Sequence, residues 1–222
     1  MRPAAAASEL APLIDHTVLR PDAVERDVAA ACDEALQYGF AGVCVREAYL
    51  VDVVRRLGGA GPFPIAVADF PAGTGTTAAR AEEARRLADL GAREIDVVFP
   101  LPLLRVRQHA AALLDLVEVV RGAGAARVKV ILESGALSSV EKAAACALAI
   151  AAGAAFVKTS TGFGAGGATV EDVTLLRELA GAGVGVKASG GIRTTAQALA
   201  MVRAGASRLG TSASVAIVAG AP

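Results

Sequence analysis

Leu13-Ile14-Asp15-His16-Thr17-Val18-Leu19-Arg20-Pro21 contains the first apolar run of the chain and the turn after it, and that turn has no glycine. An open doubly wound sheet places a Gly-rich phosphate fingerprint directly after its first strand. Here the glycines gather late instead. They fall in Thr161-Gly162-Phe163-Gly164-Ala165-Gly166-Gly167, Ser189-Gly190-Gly191 and Gly210-Thr211-Ser212. These follow the sixth, seventh and eighth of eight short apolar runs, at residues 13–16, 42–45, 65–70, 94–99, 128–133, 155–160, 185–188 and 208–211.

Between the runs lie amphipathic stretches with apolar residues three and four apart, predicting helices at 21–37, 48–57, 76–90, 105–121, 138–152, 170–180 and 194–204. Asp22, Thr76, Ser138, Thr169 and Thr194 are the expected N-caps. Ser138 and Glu141 form a capping box. Gly39, Gly91, Gly153 and Gly205 stand where helix C-termini want glycine. Eight strands alternating with helices require a parallel sheet with crossover connections. Closed on itself, that sheet is a (β/α)8 TIM barrel, and 222 residues suit its compact end. We expect one domain, residues 1–222, with residues 1–8 frayed.

Composition narrows the function. Net charge is zero and no basic stripe stands out, which argues against a nucleic-acid surface. No apolar run reaches membrane-spanning length, and residues 1–7 lack the hydrophobic region of a secretory signal. Three widely spaced cysteines, Cys32, Cys44 and Cys146, match no metal pattern and are expected as reduced thiols in the cytoplasm. Cys44, in Gly42-Val43-Cys44-Val45, reads as a small buried apolar residue. Two histidines, His16 and His109, are too few for a His-based metal site. His16 can face either layer of a barrel, with packing favoured over catalysis, and His109 falls on a helix as a solvated residue.

Lysine carries the chemical signal. Only 4 of the 22 cationic residues are lysine, and Lys129, Lys158 and Lys187 all lie in strand-like runs. A buried lysine gives up its proton readily and is then a nucleophilic amine suited to Schiff-base chemistry. Strand parity sorts these residues by face. In Glu94-Ile95-Asp96-Val97-Val98-Phe99 the apolar face is Ile95, Val97 and Phe99, so Asp96 points into the barrel. The same parity turns Lys129 and Glu133 inward, and sets Lys158 and Lys187 side by side on adjacent strands. Two ammonium groups so close repel, which favours one neutral amine. Asp96 can pair with Lys129, act as a proton relay, or do both. Asp15 and Asp69 are further inward candidates at the mouth. The late glycines suit close approach of an anion to backbone N–H groups, the usual phosphate site of this fold, and Ser212 to Ala216 can supply a helix N-terminus there.

Several motifs closely resemble those of the deoxyribose-phosphate aldolase family. They are Ile14-Asp15-His16-Thr17, Glu94 to Pro100, Val157-Lys158-Thr159-Ser160-Thr161-Gly162-Phe163, Lys187-Ala188-Ser189-Gly190-Gly191-Ile192-Arg193 and Gly210-Thr211-Ser212. The likeness runs from about residue 10 to 218. It implies a class I aldolase needing no metal or cofactor, which reversibly cleaves 2-deoxy-D-ribose 5-phosphate to D-glyceraldehyde 3-phosphate and acetaldehyde. It implies Lys158 as Schiff-base nucleophile, Lys187 as the neighbour that lowers its pKa, and Asp96 as acid/base partner. Gly162, Gly190, Gly191, Gly210 and Ser212 would bind the phosphate, with Asp15, Lys129 and Thr161 around the substrate. Partners would be the sugar phosphate and acetaldehyde, with no nucleic acid or membrane, and a homo-oligomer, dimer or tetramer, is compatible. Two departures stand out. Ala213 occupies the place of a second serine, and the sequence ends at Pro222 without a tyrosine-bearing tail. Other readings are a different Schiff-base barrel acting on a sugar phosphate, or a catalytically silent binding barrel.

Overall fold

A computed structural model describes residues 7–59, 61–164 and 166–220. Eight parallel strands close in sequence order: β1 (Ile14–Val18), β2 (Gly42–Val45), β3 (Phe63–Ala68), β4 (Glu94–Val98), β5 (Arg127–Ile131), β6 (Phe156–Lys158), β7 (Gly185–Ser189) and β8 (Arg208–Thr211). The expected (β/α)8 barrel is the fold.

The helices are α1 (Ala7–Leu10), α2 (Glu25–Tyr38), α3 (Leu50–Leu57), α4 (Thr77–Asp89), α5 (Leu101–Arg105), α6 (His109–Gly122), α7 (Ser139–Ala151), α8 (Val170–Ala180), α9 (Thr195–Arg203) and α10 (Ser214–Val218). Thr76, Ser138, Thr169 and Thr194 cap their helices through side-chain oxygens, as expected. Asp22 does not. Helix α2 starts later, and Asp27 accepts the Val24 N–H at 2.9 Å instead. Of the segment expected to fray, Ala7 and Ser8 fall in α1, and residues 1–6 lie outside the described residues.

Two apolar bodies result from strand alternation. The larger lies between barrel and helices and includes Ile95, Val97, Val128, Val130, Val157 and Val186. Its burial supplies most of the driving force for folding. The smaller lies inside the barrel on the side of β2 and β3, and consists of Cys44, Ile65, Val67 and Leu19 with Phe63 and Phe70 against them. Cys44 is therefore the buried residue expected, and burial pushes its thiol up to about 11. The lumen also holds buried charged residues, with Phe156 packed against Lys129 and Arg208.

Candidate active site

Strand pairing places the charged groups. Asp96 on β4 is directly opposite Lys129 on β5, and Lys158 on β6 is directly opposite Lys187 on β7. Asp15 on β1 pairs with Gly210 on β8. All of these side chains point into the lumen, where water is scarce and an unpaired charge is costly.

Asp96 is the hub. Its Oδ1 lies 2.8 Å from Lys129 Nζ, and its Oδ2 lies 2.8 Å from Lys158 Nζ and 2.7 Å from Lys187 Nζ. Burial alone would raise its pKa, but the three lysines overcome that and hold the carboxyl well below its ordinary value. The pairing with Lys129 and a relay position beside Lys158 thus coexist. Asp15 is 2.5 Å from Lys187 and 2.7 Å from Arg208. Burial opposes its ionisation too, yet Lys187, Lys129 and Arg208 bring it down to about 2.

The two paired lysines diverge. Burial lowers both, but Asp15 and Asp96 together overcompensate at Lys187 and raise it above its ordinary value. Lys158 has only Asp96 in return, and burial, with Lys187 as a lesser contributor, leaves it below 10.5. Lys158 is thus the lysine whose proton is held less firmly, with desolvation the first cause and repulsion by Lys187 a weaker one.

Glu94 and Arg208 complete the set and were not anticipated. Glu94 is fully buried and accepts from Lys129 at 2.6 Å and Arg208 at 2.8 Å. It sits two residues before Asp96, so the same parity could have found it. Arg208 shares a face with Gly210 by the same rule. Two expected inward carboxylates lie elsewhere. Asp69, past the end of β3 at φ 46°, bonds to buried Arg80 and to the Gly75 N–H, and so holds the β3–α4 loop. Glu133, past the end of β5 at φ 55°, accepts from Thr161 N–H at 3.2 Å and Thr161 Oγ1 at 2.6 Å. Thr161 thereby starts the glycine-rich loop after β6 in a fixed position.

Above Lys158 is a cavity of about 470 Å³ whose lining includes Thr161, Gly162, Gly190, Gly191, Gly210 and Ser212. The sequence-predicted amine and glycines are brought together. Gly190 and Gly191 have φ of 91° and 78°, which ordinary residues avoid, and nothing lies within 4 Å of where a Gly191 side chain would begin. Gly210 has a different reason: a Cβ there would stand 2.9 Å from Lys187 Cε. A larger recess of about 800 Å³ between α4 and α6 holds none of the buried lysines. Among the described residues, no three His, Cys, Asp or Glu side chains are grouped to hold a metal ion. His109 is exposed on α6, as expected.

A family profile described as DeoC/LacD family aldolase matches residues 10–220. The chain belongs to the DeoC/LacD aldolase family. It is similar to a deoxyribose-phosphate aldolase of Thermococcus kodakarensis, 48% identical over 219 residues, covering 96% of this chain and 97% of the relative. A Bacillus mycoides protein of the same name is 47% identical over 210 residues, covering 94% of each chain. Among solved structures, the tetrameric deoxyribose phosphate aldolase of Aeropyrum pernix aligns with TM-score 0.90 at 35% identity, covering 96% of this chain and 91% of that one. In this DeoC/LacD aldolase Lys158, the last residue of β6, and the glycine-lined cavity share the C-terminal mouth of the barrel, where the catalytic groups of such barrels lie.

Proposed function

We propose that this chain is a deoxyribose-phosphate aldolase, a lyase that reversibly cleaves 2-deoxy-D-ribose 5-phosphate to D-glyceraldehyde 3-phosphate and acetaldehyde. The observation that carries the reading is Lys158: a buried amine with a depressed pKa, at the floor of the cavity and 2.8 Å from an ionised Asp96. Full-length similarity to proteins of that name supports the substrate.

The Lys158 amine attacks the C1 aldehyde of the open-chain sugar, and loss of water leaves a protonated imine. That imine is an electron sink. When the C3 hydroxyl gives up its proton, the C2–C3 bond breaks, its electrons form an enamine on C2, and C3 leaves as the aldehyde of glyceraldehyde 3-phosphate. Protonation at C2 and hydrolysis of the new imine release acetaldehyde and return the amine. Asp96 is suited to move these protons through water, because it is ionised and adjacent to the reacting nitrogen. Lys187 stays charged and keeps the Asp96 carboxylate oriented. The phosphate would lie against Gly162, Gly190, Gly191, Gly210 and Ser212 at the far side of the cavity.

Borohydride added with acetaldehyde should fix an ethyl group on the peptide bearing Lys158. Label confined to Lys187 or Lys129 would overturn the assignment. Assembly as a dimer or tetramer belongs to the same proposal, supported by the tetrameric Aeropyrum pernix relative and checked by sedimentation.

A further inference from the structure

His16 has no part in the chemistry above, yet it is 6% exposed and both its ring nitrogens are engaged. Nδ1 is 2.7 Å from Ser214 Oγ, and Nε2 is 2.7 Å from Glu34 Oε2. Residues 14 and 16 of β1 face the helix layer while Asp15 faces the lumen, so the ring sits between β1 and α2, tilted against Phe40 at 5.4 Å between centroids. Burial lowers the pKa of the imidazole more than Glu34 raises it, which favours the neutral ring. A carboxylate accepts only, so Nε2 donates to Glu34, while Nδ1 bonds to Ser214 Oγ, which also lies 3.2 Å from the Thr211 carbonyl. The result is a chain linking Ser214, His16 and Glu34. Ser214 is fully buried, which rules it out as an acylating nucleophile and leaves it as an anchor.

A buried histidine satisfied by two partners is ordinary by itself. Its partners' positions give this one a role. Ser214 is the first residue of α10, immediately beyond the Gly210–Ser212 turn that lines the cavity. Thr211, within that turn, pairs with His16 across the β1–β8 junction and donates from Oγ1 to the Ile192 carbonyl at 2.7 Å. Its Oγ1 also accepts the Ala213 N–H at 2.9 Å. The turn is thus tied to the loop after β7 through Thr211 and to α2 through Ser214 and His16. The far end of α10 is held separately, by Thr195 Oγ1 donating to the Ile217 carbonyl at 2.6 Å, so the His16 tie acts on the end nearest the cavity.

We infer that His16 is a positioning residue for the phosphate half of the cavity, holding the Gly210–Ser212 turn in its anion-receiving conformation through Ser214. The inference rests on the proposed phosphate site. Chemistry at C1 to C3 happens at Lys158, whose ion-pair partner is Asp96 and not a member of this tie. Loosening the tie should therefore weaken capture of the phosphate without slowing the bound substrate's reaction.

The experiment compares kcat and KM for 2-deoxyribose 5-phosphate and for unphosphorylated 2-deoxyribose in the Ser214→Ala and His16→Phe proteins. In Ser214→Ala, KM for the phosphorylated sugar should rise about three- to tenfold, the range of one lost hydrogen bond, with its kcat and the parameters for the free sugar unmoved. His16→Phe retains the ring against Phe40 and should show the same selective rise. If it does not fold, Ser214→Ala decides alone. Proportional loss on both sugars, or no rise in KM, would overturn the inference. Gly191→Glu separates the two layers of the argument. If it fails to discriminate between the sugars, the phosphate site itself is misplaced. If it discriminates while Ser214→Ala does not, only the role of His16 falls.

Discussion

Lys158 and Lys187 are neighbours across one strand boundary, yet they hold their protons in opposite ways because of the carboxylates each can reach. Lys187 touches two and Lys158 one. Replacing Lys187 by Leu removes a lesser contributor to the lowered Lys158 pKa and frees Asp96 to act more strongly on the remaining amine, so both effects move it upward. The pH dependence of borohydride trapping should shift to higher pH, and turnover near neutrality should fall with it. Since burial persists, Lys158 should keep part of its depression, and trapping should remain measurable below the ordinary lysine range. An unchanged profile would leave desolvation as the whole cause. Asp96→Asn removes the ionised hub from under three lysines. It should leave imine formation partly intact while slowing carbon–carbon cleavage, as single-turnover mixing can resolve. Equal loss of both steps would make Asp96 only a counter-ion to Lys129. The inward placement of these three residues was legible because each broke an apolar strand pattern, and parity alone assigned their direction.

At the level of strands and turns, the sequence marks centres better than edges. Strand β3 begins at Phe63 and ends at Ala68, two residues earlier at each end than the apolar pattern over 65–70 suggests. Pro64 blurs the start, and nothing in an apolar run announces that Asp69 turns out at positive φ. There its carboxylate pairs with Arg80 of α4 and the Gly75 N–H, not with the lumenal lysines. Gly210 shows the other limit: its place near the end of β8 reads as an anion site, while its lack of a side chain also makes room for Lys187. Only the packed barrel shows the second reason. Gly210→Ala drives a methyl against Lys187 Cε and Ser189 Cβ, 2.9 and 3.0 Å from where it would begin. Lys187 is pinned by two ion pairs, so it must be displaced. The expected result is a loss of kcat on phosphorylated and free sugar alike, in contrast to Gly191→Glu, which should spare the free sugar. A Gly210→Ala defect confined to KM for the phosphorylated sugar would assign that glycine to phosphate binding alone.

Across the whole barrel, the lumen holds a network of opposite charges that no single strand encodes. Asp15, Glu94 and Asp96 face Lys129, Lys158, Lys187 and Arg208, all of them buried, while Arg127 reaches Glu94 from the half-exposed rim. Four buried cations and Arg127 thus share three carboxylates, and Lys158, which reaches only one of them, has its pKa lowered by burial. Arg208 was hidden among many arginines, and its partners Asp15 and Glu94 lie 193 and 114 residues away, brought together only by closure between β8 and β1. That network ties stability to pH. Asp15 has a folded pKa of about 2 against an ordinary 3.8, so its ionised form is favoured in the folded chain. The contribution is fully present above the ordinary value and is lost as pH falls through the folded one; by linkage it amounts to about 2 kcal/mol. Asp15→Asn leaves Lys187 and Arg208 short of a counter-charge and should destabilise the protein near neutrality. As pH drops from about 4 to about 2, wild-type Asp15 takes up its proton and comes to resemble the variant. Urea unfolding of both proteins across that window should show the gap in stability narrowing by about 2 kcal/mol. A gap that stays constant through acid would mean that Asp15 is not the ionised partner holding Lys187 charged, and the division of labour between the two lysines would need another cause.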